Sequence, residues 1–490
     1  MDLDPQAVEV TKLNLLLKCM EGDIWPGIAR QMKLLHDRVL PNIDGNIKCG
    51  NSLIGQDYFE GRLVVDPEEE KRVNAFDWDG EKGFPSIMQA GGFDCVAGNP
   101  PYIQASMSEH YNPDVARYYR THYSSSMARL NTFGLFIERG LSVLARPGGR
   151  VSFIVPNTLL TQEYYEPLRG LMLGQQITSL TCFTEMVFHG AVVETVVFVV
   201  RKGDPRGQVV NVARFDNRAM VVEERPMPQA AFLTTHRKAF VITADDAMFG
   251  LGSRLLAAYP PLGALANTNQ AIALKHDRAR SLHSKAADPT YKRVLDGRDI
   301  GRYWLRWPGT YLAYNRDLIH SCKRTDIFEC AEKLFIRRVA ERLTATLDER
   351  QHYALNTLVV VTWGGLGGAS GMSLRYLLGL LNSRLLNECY VRLLKSTKRV
   401  FSEVQARQLA RLPIPPIDFS DPSDVARHDK MVALVERMLD LHKRLPAAKT
   451  KSDRELIERR IKATDDEIDA LVHELYGLTP EEIAIIEDGS

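Results

Sequence analysis

Residues 93–104 read "FDCVAGNPPYIQ", and four of them, Asn99, Pro100, Pro101 and Tyr102, are of types that could do chemistry together. An asparagine carries a carboxamide oxygen and an amide nitrogen, while each proline keeps its carbonyl acceptor but has no N–H to donate. "CVAG" has the pattern of the end of a buried strand, and two prolines cannot continue a hydrogen-bonded ladder. The strand is therefore expected to stop at Asn99 and to hold Tyr102 out at its carboxyl end, the edge at which open α/β sheets bind ligands. Taken alone, such a tripeptide is more often an ordinary turn, so its surroundings must decide.

Those surroundings alternate strand and helix patterns. "DPQAVEVTKLNLLLKCM" predicts a helix capped by Asp4 with Pro5 at its first position. "NIKCGNSLIG" and "FDCVAG" predict short strands, "NTFGLFIERGLSVL" a helix, and "GGRVSFIVP" and "AVVETVVFVVRK" two further strands. This succession over about residues 1–200 predicts a doubly wound α/β sheet with helices on both faces, ended by the proline-rich "ERPMPQA". A helical "TADDAMFGLGSRLLAAY" then leads into a region dotted with basic and aromatic residues. The last sixty residues are charged and helical, with capping boxes predicted from Ser452 to Glu455 and from Thr479 to Glu482. "RELIERRIKATDDEIDALVHELYGL" has the apolar spacing of an amphipathic helix.

Composition bounds the function. The chain of 490 residues is 45% hydrophobic and 25% charged, as expected of a globular protein of two to four domains. No run approaches eighteen uncharged apolar residues and "MDLDPQAVEV" lacks the features of a leader, so neither a membrane span nor a signal peptide is expected. Seven cysteines without C-x-x-C spacing argue against a disulfide framework and a zinc site, and for a reducing cytoplasm. His189 and His236 have no partner at ligand spacing, and no metal is expected. "VDPEEEK" at 65–71 reads as a solvated loop rather than a nuclease motif, and "GGLGGASG" at 364–371 as a flexible loop. Charge is unevenly placed. Residues 1–150 hold 16 Lys and Arg against 20 Asp and Glu, a net of −4, whereas residues 291–400 hold 19 against 10, a net of +9. One part suits a small ligand and the other a phosphate backbone.

Taken in order, "DLDPQAV", "CGNSLI", "NPPY", "GGRVSFIVPNTLL" and "VFHGAVVET" resemble the motifs of gamma-class DNA adenine amino-methyltransferases of the type IIG restriction-modification and phage-defence kind. "LDGRDIGRYW", "LLGLLNSRLLN" and "LARLPIPPID" resemble the target-recognition domain of that family, and "LVHELYGLTPEEI" is similar to its carboxyl terminus. The resemblance covers nearly the whole chain. It implies a Rossmann-like methyltransferase domain over 1–225, a connecting segment over 226–290, an α+β target-recognition domain over 291–418 and a helical region over 426–490.

It also implies roles. Asn99 and the Pro100 carbonyl would accept the N–H groups of an exocyclic adenine amine, with Pro101 fixing the backbone. Tyr102 and Phe188 would stack on the extruded base. Asp2 would take the ribose hydroxyls of S-adenosylmethionine and Asn51, where an aspartate is more usual, its adenine amino group, with Asn99 also at the cofactor. Cytosine C5 chemistry is set aside because no Pro-Cys dipeptide occurs; Asn99 in place of serine favours adenine N6 over cytosine N4. The family's Gly-rich cofactor loop should precede Asp2 by roughly a few tens of residues, a distance that Met1 leaves no room for. The first strand, that loop and most of the second strand are thus expected to be missing, and cofactor binding to be weak. The expected partners are double-stranded DNA and a restriction or defence-system subunit. Two other readings stay open: a catalytically impaired DNA-binding or specificity component, and a methyltransferase acting on RNA or protein glutamine.

Overall fold

Apolar runs between turn residues build a six-stranded mixed sheet from β1 (Phe93–Gly98), β2 (Ala145–Pro156), β3 (Gln176–Phe183), β4 (Thr195–Arg201), β5 (Val209–Phe215) and β6 (Val221–Pro228), in the order β1-β2-β4-β3-β5-β6. The protein is described by a computed structural model at residues 1–20, 42–104, 112–126, 131–183, 193–215, 221–242, 246–275, 278–364, 371–394 and 403–487. It divides into two compact units, Met1–Phe240 and Val241–Ser490. Within the sheet β1 runs parallel to β2 and β3 parallel to β5, while β4 is antiparallel to both of its neighbours. Val151, Val155, Val196, Phe198 and Val200 are fully buried, which is why "VSFIV" and "TVVFVV" read as continuous apolar runs.

Three sequence expectations are corrected by the sheet. "FDCVAG" forms its strand, but Asp94, Cys95, Ala97 and Gly98 are exposed rather than buried. Among the described residues β1 pairs only with β2, which leaves its other side without a ladder. "NIKCGNSLIG" makes isolated bridges, Asp2 to Cys49 and Asn51 to Ala75, instead of a strand. "ERPMPQA" does not end the sheet, since Pro226 and Pro228 lie within β6, opposite Asn211 and Val209. β6 is an edge of the described sheet, where a proline's missing N–H has no neighbour to serve.

Helix α1 (Pro5–Met20) starts as expected, with the Asp4 carboxylate accepting from the Gln6 N–H at 2.8 Å. Helix Thr132–Arg139 is capped by Asn131 and continues as a π-helical turn, Gly140–Leu144, into β2. Gly140 lies against β2, where an added Cβ would come within 3.0 Å of Val151 Cγ1. Buried Arg169 fastens the end of this unit. Its guanidinium donates to the carbonyls of Leu159, Gln162, Arg237 and Lys238 at 2.8–2.9 Å, and burial lowers its pKa to about 10.

The second unit holds two four-stranded sheets. One orders Ala345–Asp348, Lys333–Arg337, Leu358–Trp363 and Ala266–Gln270, all antiparallel. The other orders Tyr353–Ala354, Tyr291–Leu295, Tyr311–Ala313 and Leu282–His283. "LDGRDI" is a closed turn, in which Asp296 and Asp299 form a reciprocal capping box. In "LLGLLNSRLLN", the Asn382 side chain pairs with both the N–H and the carbonyl of Ala345 at 3.0 Å, and Asn387 accepts from the Leu343 N–H at 2.7 Å. Helices Pro422–Arg444 and Lys451–Leu475 pack together near the carboxyl end. The Thr479–Glu482 capping box is present, but the predicted Ser452 cap is replaced by Thr450, which accepts from the Asp453 N–H at 3.0 Å. The helix thus begins before Ser452 because threonine offers the same hydroxyl earlier in the chain.

Deep in this unit the Lys333 ammonium meets Asp348 at 2.7 Å, with both side chains fully buried, and also donates to the Phe328 carbonyl. The same carboxylate accepts from His352 Nδ1 at 2.7 Å and from the His352 N–H at 3.0 Å. Burial would raise the Asp348 pKa, but the His352 and Lys333 interactions outweigh it and hold it below the ordinary value. Asp348→Asn is expected to cost about 3–5 kcal/mol by stranding a buried ammonium. The double variant Lys333→Met, Asp348→Asn should recover most of that loss. Urea unfolding of the parent, single and double variants measures both, and additive losses would contradict the pairing.

Candidate active site

The end of β1 opens on a cavity of about 980 Å³ whose wall includes Asp2, Asn51, Asn99, Pro100, Pro101 and Tyr102. Six of the seven residues named from sequence therefore share one site. The seventh, Phe188, lies outside the described residues.

Each lining residue is positioned by a local cause. β1 stops at Gly98, in register with Phe153 of β2, and the prolines carry the chain off the ladder. Thr132, at the start of its helix, then clamps the chain on both sides of Tyr102. Its hydroxyl donates to the Pro101 carbonyl and accepts from the Ile103 N–H at 3.1 Å, and its own N–H donates to the Ile103 carbonyl at 3.0 Å. The Tyr102 hydroxyl donates to the Ile154 carbonyl of β2 at 3.0 Å, and its ring meets Phe133 edge-on with centroids 6.3 Å apart. Partial burial raises the phenol pKa, so Tyr102 is a neutral ring on a fixed stem. The Asn99 side chain and the Pro100 carbonyl, in contrast, accept no hydrogen bond among the described residues.

Asp2 is tied by its backbone to Lys48 and Gly50, and its Oδ1 accepts from the Asp4 N–H at 2.9 Å. Its other carboxylate oxygen stays available. Asn51 is more committed: Oδ1 accepts from the Leu53 N–H at 3.0 Å and Nδ2 donates to the Val73 carbonyl at 3.3 Å. One Oδ1 lone pair remains for a ligand. Gly50 is required between them, because a Cβ there would fall 2.7 Å from the Phe76 ring.

The sequence reading missed other wall residues. Trp78 and Phe84 stack with ring centroids 5.9 Å apart, and the Trp78 indole N–H donates to the Ser52 carbonyl at 3.3 Å. No spacing marks them: Phe76, Trp78 and Phe84 pack in a small core cluster, and tertiary placement brings the last two to the cavity wall. Arg139 also lines the cavity, and its buried Nε has no hydrogen-bond partner among the described residues. The wall thus combines acceptors, aromatic surface and one guanidinium. Among the described residues no three His, Cys, Asp or Glu side chains come together to hold a metal ion, and no helix is long and apolar enough to cross a membrane.

Residues 1–188 match the model of the Eco57I restriction-modification methylase family, and residues 292–414 that of the TaqI-like C-terminal specificity domain. The chain is 28% identical over 171 residues to the type II restriction enzyme and methyltransferase RM.Eco57I of Escherichia coli, covering 35% of this chain and 15% of that one. It is 26% identical over 267 residues to the type II methyltransferase M.TthHB8I of Thermus thermophilus, covering 53% of this chain and 59% of that one. It thus spans less than two thirds of either relative. The fold is similar to that of the Type IIL restriction-modification enzyme MmeI, solved in complex with DNA, at a TM-score of 0.54 and 13% identity over 85% of this chain and 58% of that one. The chain joins an Eco57I-like restriction-modification methylase domain to a TaqI-like specificity domain.

Proposed function

We propose that the first unit transfers a methyl group from S-adenosylmethionine to the exocyclic N6 amine of an adenine rotated out of duplex DNA, and that the second unit reads the duplex. The observation that carries this reading is the pair of unfilled acceptors, the Asn99 side-chain oxygen and the Pro100 carbonyl, on the cavity wall at the end of β1. An adenine amine is a poor nucleophile because its lone pair is delocalised into the ring. Two acceptors taking its two N–H groups turn that lone pair out of conjugation and aim it, which is catalysis by orientation and fixed dipoles. No general base is needed before attack, because the surplus proton leaves only after the N–C bond has formed.

The residues also fit the cofactor. The unpaired Asp2 carboxylate oxygen suits a ribose diol, and the remaining Asn51 lone pair suits an adenine amino group, without the charge assistance an aspartate would give. When bound, the cofactor supplies a methyl group on a sulfonium sulfur, which keeps the bonding electron pair as the methyl group leaves. Tyr102 supports a base-stacking role because its ring is tied to β2 through its hydroxyl and so offers a stationary face. The match to a specificity domain supports duplex DNA over RNA or protein glutamine as the substrate.

Incubation with duplex DNA and labelled S-adenosylmethionine at saturating concentration, which the weak cofactor binding expected from the sequence requires, followed by nucleoside mass analysis, is expected to yield N6-methyladenine. N4-methylcytosine, or label in protein or RNA instead, would overturn the reading. Asn99→Ala should lower the methylation rate by about 10²-fold or more while leaving DNA affinity within roughly threefold, since it removes a dipole aimed at the reacting amine. A variant that still methylates at near the parent rate would remove Asn99 from the chemistry.

Tyr102→Ala should slow methylation of a paired adenine more than that of a mismatched one, because unstacking costs roughly a few kcal/mol only when the base is well paired. Tyr102→Phe keeps the ring but loses the bond to Ile154, and should retain most of this discrimination. Equal losses on both substrates for Tyr102→Ala would argue against stacking.

A further inference from the structure

The sheet of Tyr291–Leu295, Tyr311–Ala313 and Leu282–His283 is antiparallel across these three strands, and its register sets Arg293 opposite Tyr311 and Tyr311 opposite His283 in one row. Strand alternation sends Lys292, Leu312 and Leu282 to the other face, where Leu312 is fully buried. The row is rich in rings. Trp307 meets Tyr311 edge-on with centroids 5.0 Å apart, and His283 lies 5.3 Å from Tyr291.

Arg293 is exposed and lies over Trp307, its guanidinium carbon 5.0 Å from the ring centroid. The platform is itself held, since Trp307 Nε1 donates to the Thr310 carbonyl at 2.7 Å and the partly buried ring packs against the domain core. Other arginines of this unit are engaged by acids: Arg302 forks onto Asp465 at 2.6 and 3.0 Å, and Arg375 bridges Glu332 and Glu349. The Arg293 side chain makes no hydrogen bond or ion pair among the described residues. The surrounding stretch 282–325 holds nine Lys and Arg against four Asp, a net of +5, and two of those acids are closed into the Asp296–Asp299 capping box.

We propose that Arg293 is a specificity-determining residue that reads a guanine edge in duplex DNA, with its guanidinium supported over the ring of Trp307. This rests on the duplex-reading role proposed above for the second unit. A guanidinium resting over an indole without an acid partner keeps N–H groups free for a ligand, and a planar fork of such donors matches the O6 and N7 acceptors of guanine. A phosphate contact needs only charge, which the unpaired cations of the same stretch already provide. Holding the fork on a ring lowers the entropy lost when it engages a base.

The full chain is used to select binding sites from a pool of randomised duplexes, and the selected site and its single-base variants are then titrated over a salt series. The parent is expected to select a guanine at one position where replacement lowers affinity roughly 5- to 150-fold. Arg293→Ala and Arg293→Lys should both abolish the preference at that position and leave the others intact, with Arg293→Lys keeping the parent salt dependence. Both variants, and Arg293→Gln as a further control, should unfold thermally as the parent does, because the side chain is exposed. A uniform loss on all sequences in Arg293→Ala, restored in Arg293→Lys, would make Arg293 a phosphate contact and overturn the proposal. An unchanged motif and affinity in Arg293→Ala would overturn it too. If the parent selects no motif at all, the duplex-reading role fails, and this assignment with it.

Discussion

Everything at the candidate site depends on where β1 is forced to stop. Parallel pairing with β2 fixes its register, Gly98 opposite Phe153, and two residues without N–H groups then make further pairing impossible. A strand ended in this way leaves acceptors that secondary structure cannot consume. The Asn99 side chain and the Pro100 carbonyl are therefore available because the backbone around them has lost its donors, and not because the region is loose. Thr132 supplies the compensation one step later, meeting the Pro101 carbonyl and the Ile103 backbone from the start of its helix. The local rule that is broken at Asn99 is restored within four residues.

The second unit obeys a different logic. Its motif residues are mostly taken up in holding the fold. Asn382 and Asn387 bind the backbone of Ala345 and Leu343, Asp296 and Asp299 cap one another, and Lys333, Asp348 and His352 form a buried cluster. Such networks specify one packing, because each member left without its partner would strand a buried polar group. They leave the outward rows of the strands free to vary, and a reading surface needs that freedom. Side chains such as Arg293, unpaired and resting on a ring, stand out only after the paired arginines have been accounted for.

How much of this was legible in the sequence depends on the range of each signal. Strand ends and helix starts were readable because their causes are local: Pro100 and Pro101 after Gly98, Asp4 before Pro5, Thr479 with Glu482. The exposure of β1 was not, since "FDCVAG" has the composition of an interior strand and burial depends on how many strands flank it, of which the described residues supply β2 alone. Pro226 and Pro228 misled for the same reason, because a proline ends a central strand but is tolerated on an edge. The clustering of Asp2, Asn51 and Asn99 came from ordered motifs. Trp78, Phe84 and Arg139 reached the same cavity by tertiary placement alone, and no spacing announced them.

Pairing with β2 alone, among the described residues, sets what keeps the acceptors in place. An interior strand is held by ladders on both sides, whereas among the described residues β1 has one ladder, to β2. Positional error of about 1 Å at a reacting group can cost on the order of 10²-fold in rate, so a single ladder must be supplemented. The supplements are specific: the Tyr102 hydroxyl on Ile154 draws the chain after Pro101 back to β2, and Thr132 holds both sides of Tyr102. Both anchors lie after the acceptors and none before them, so Asn99 is bracketed between the β2 ladder and these bonds. The precision of the site thus resides in residues that need never touch a substrate, and Thr132 does for the backbone what the prolines cannot.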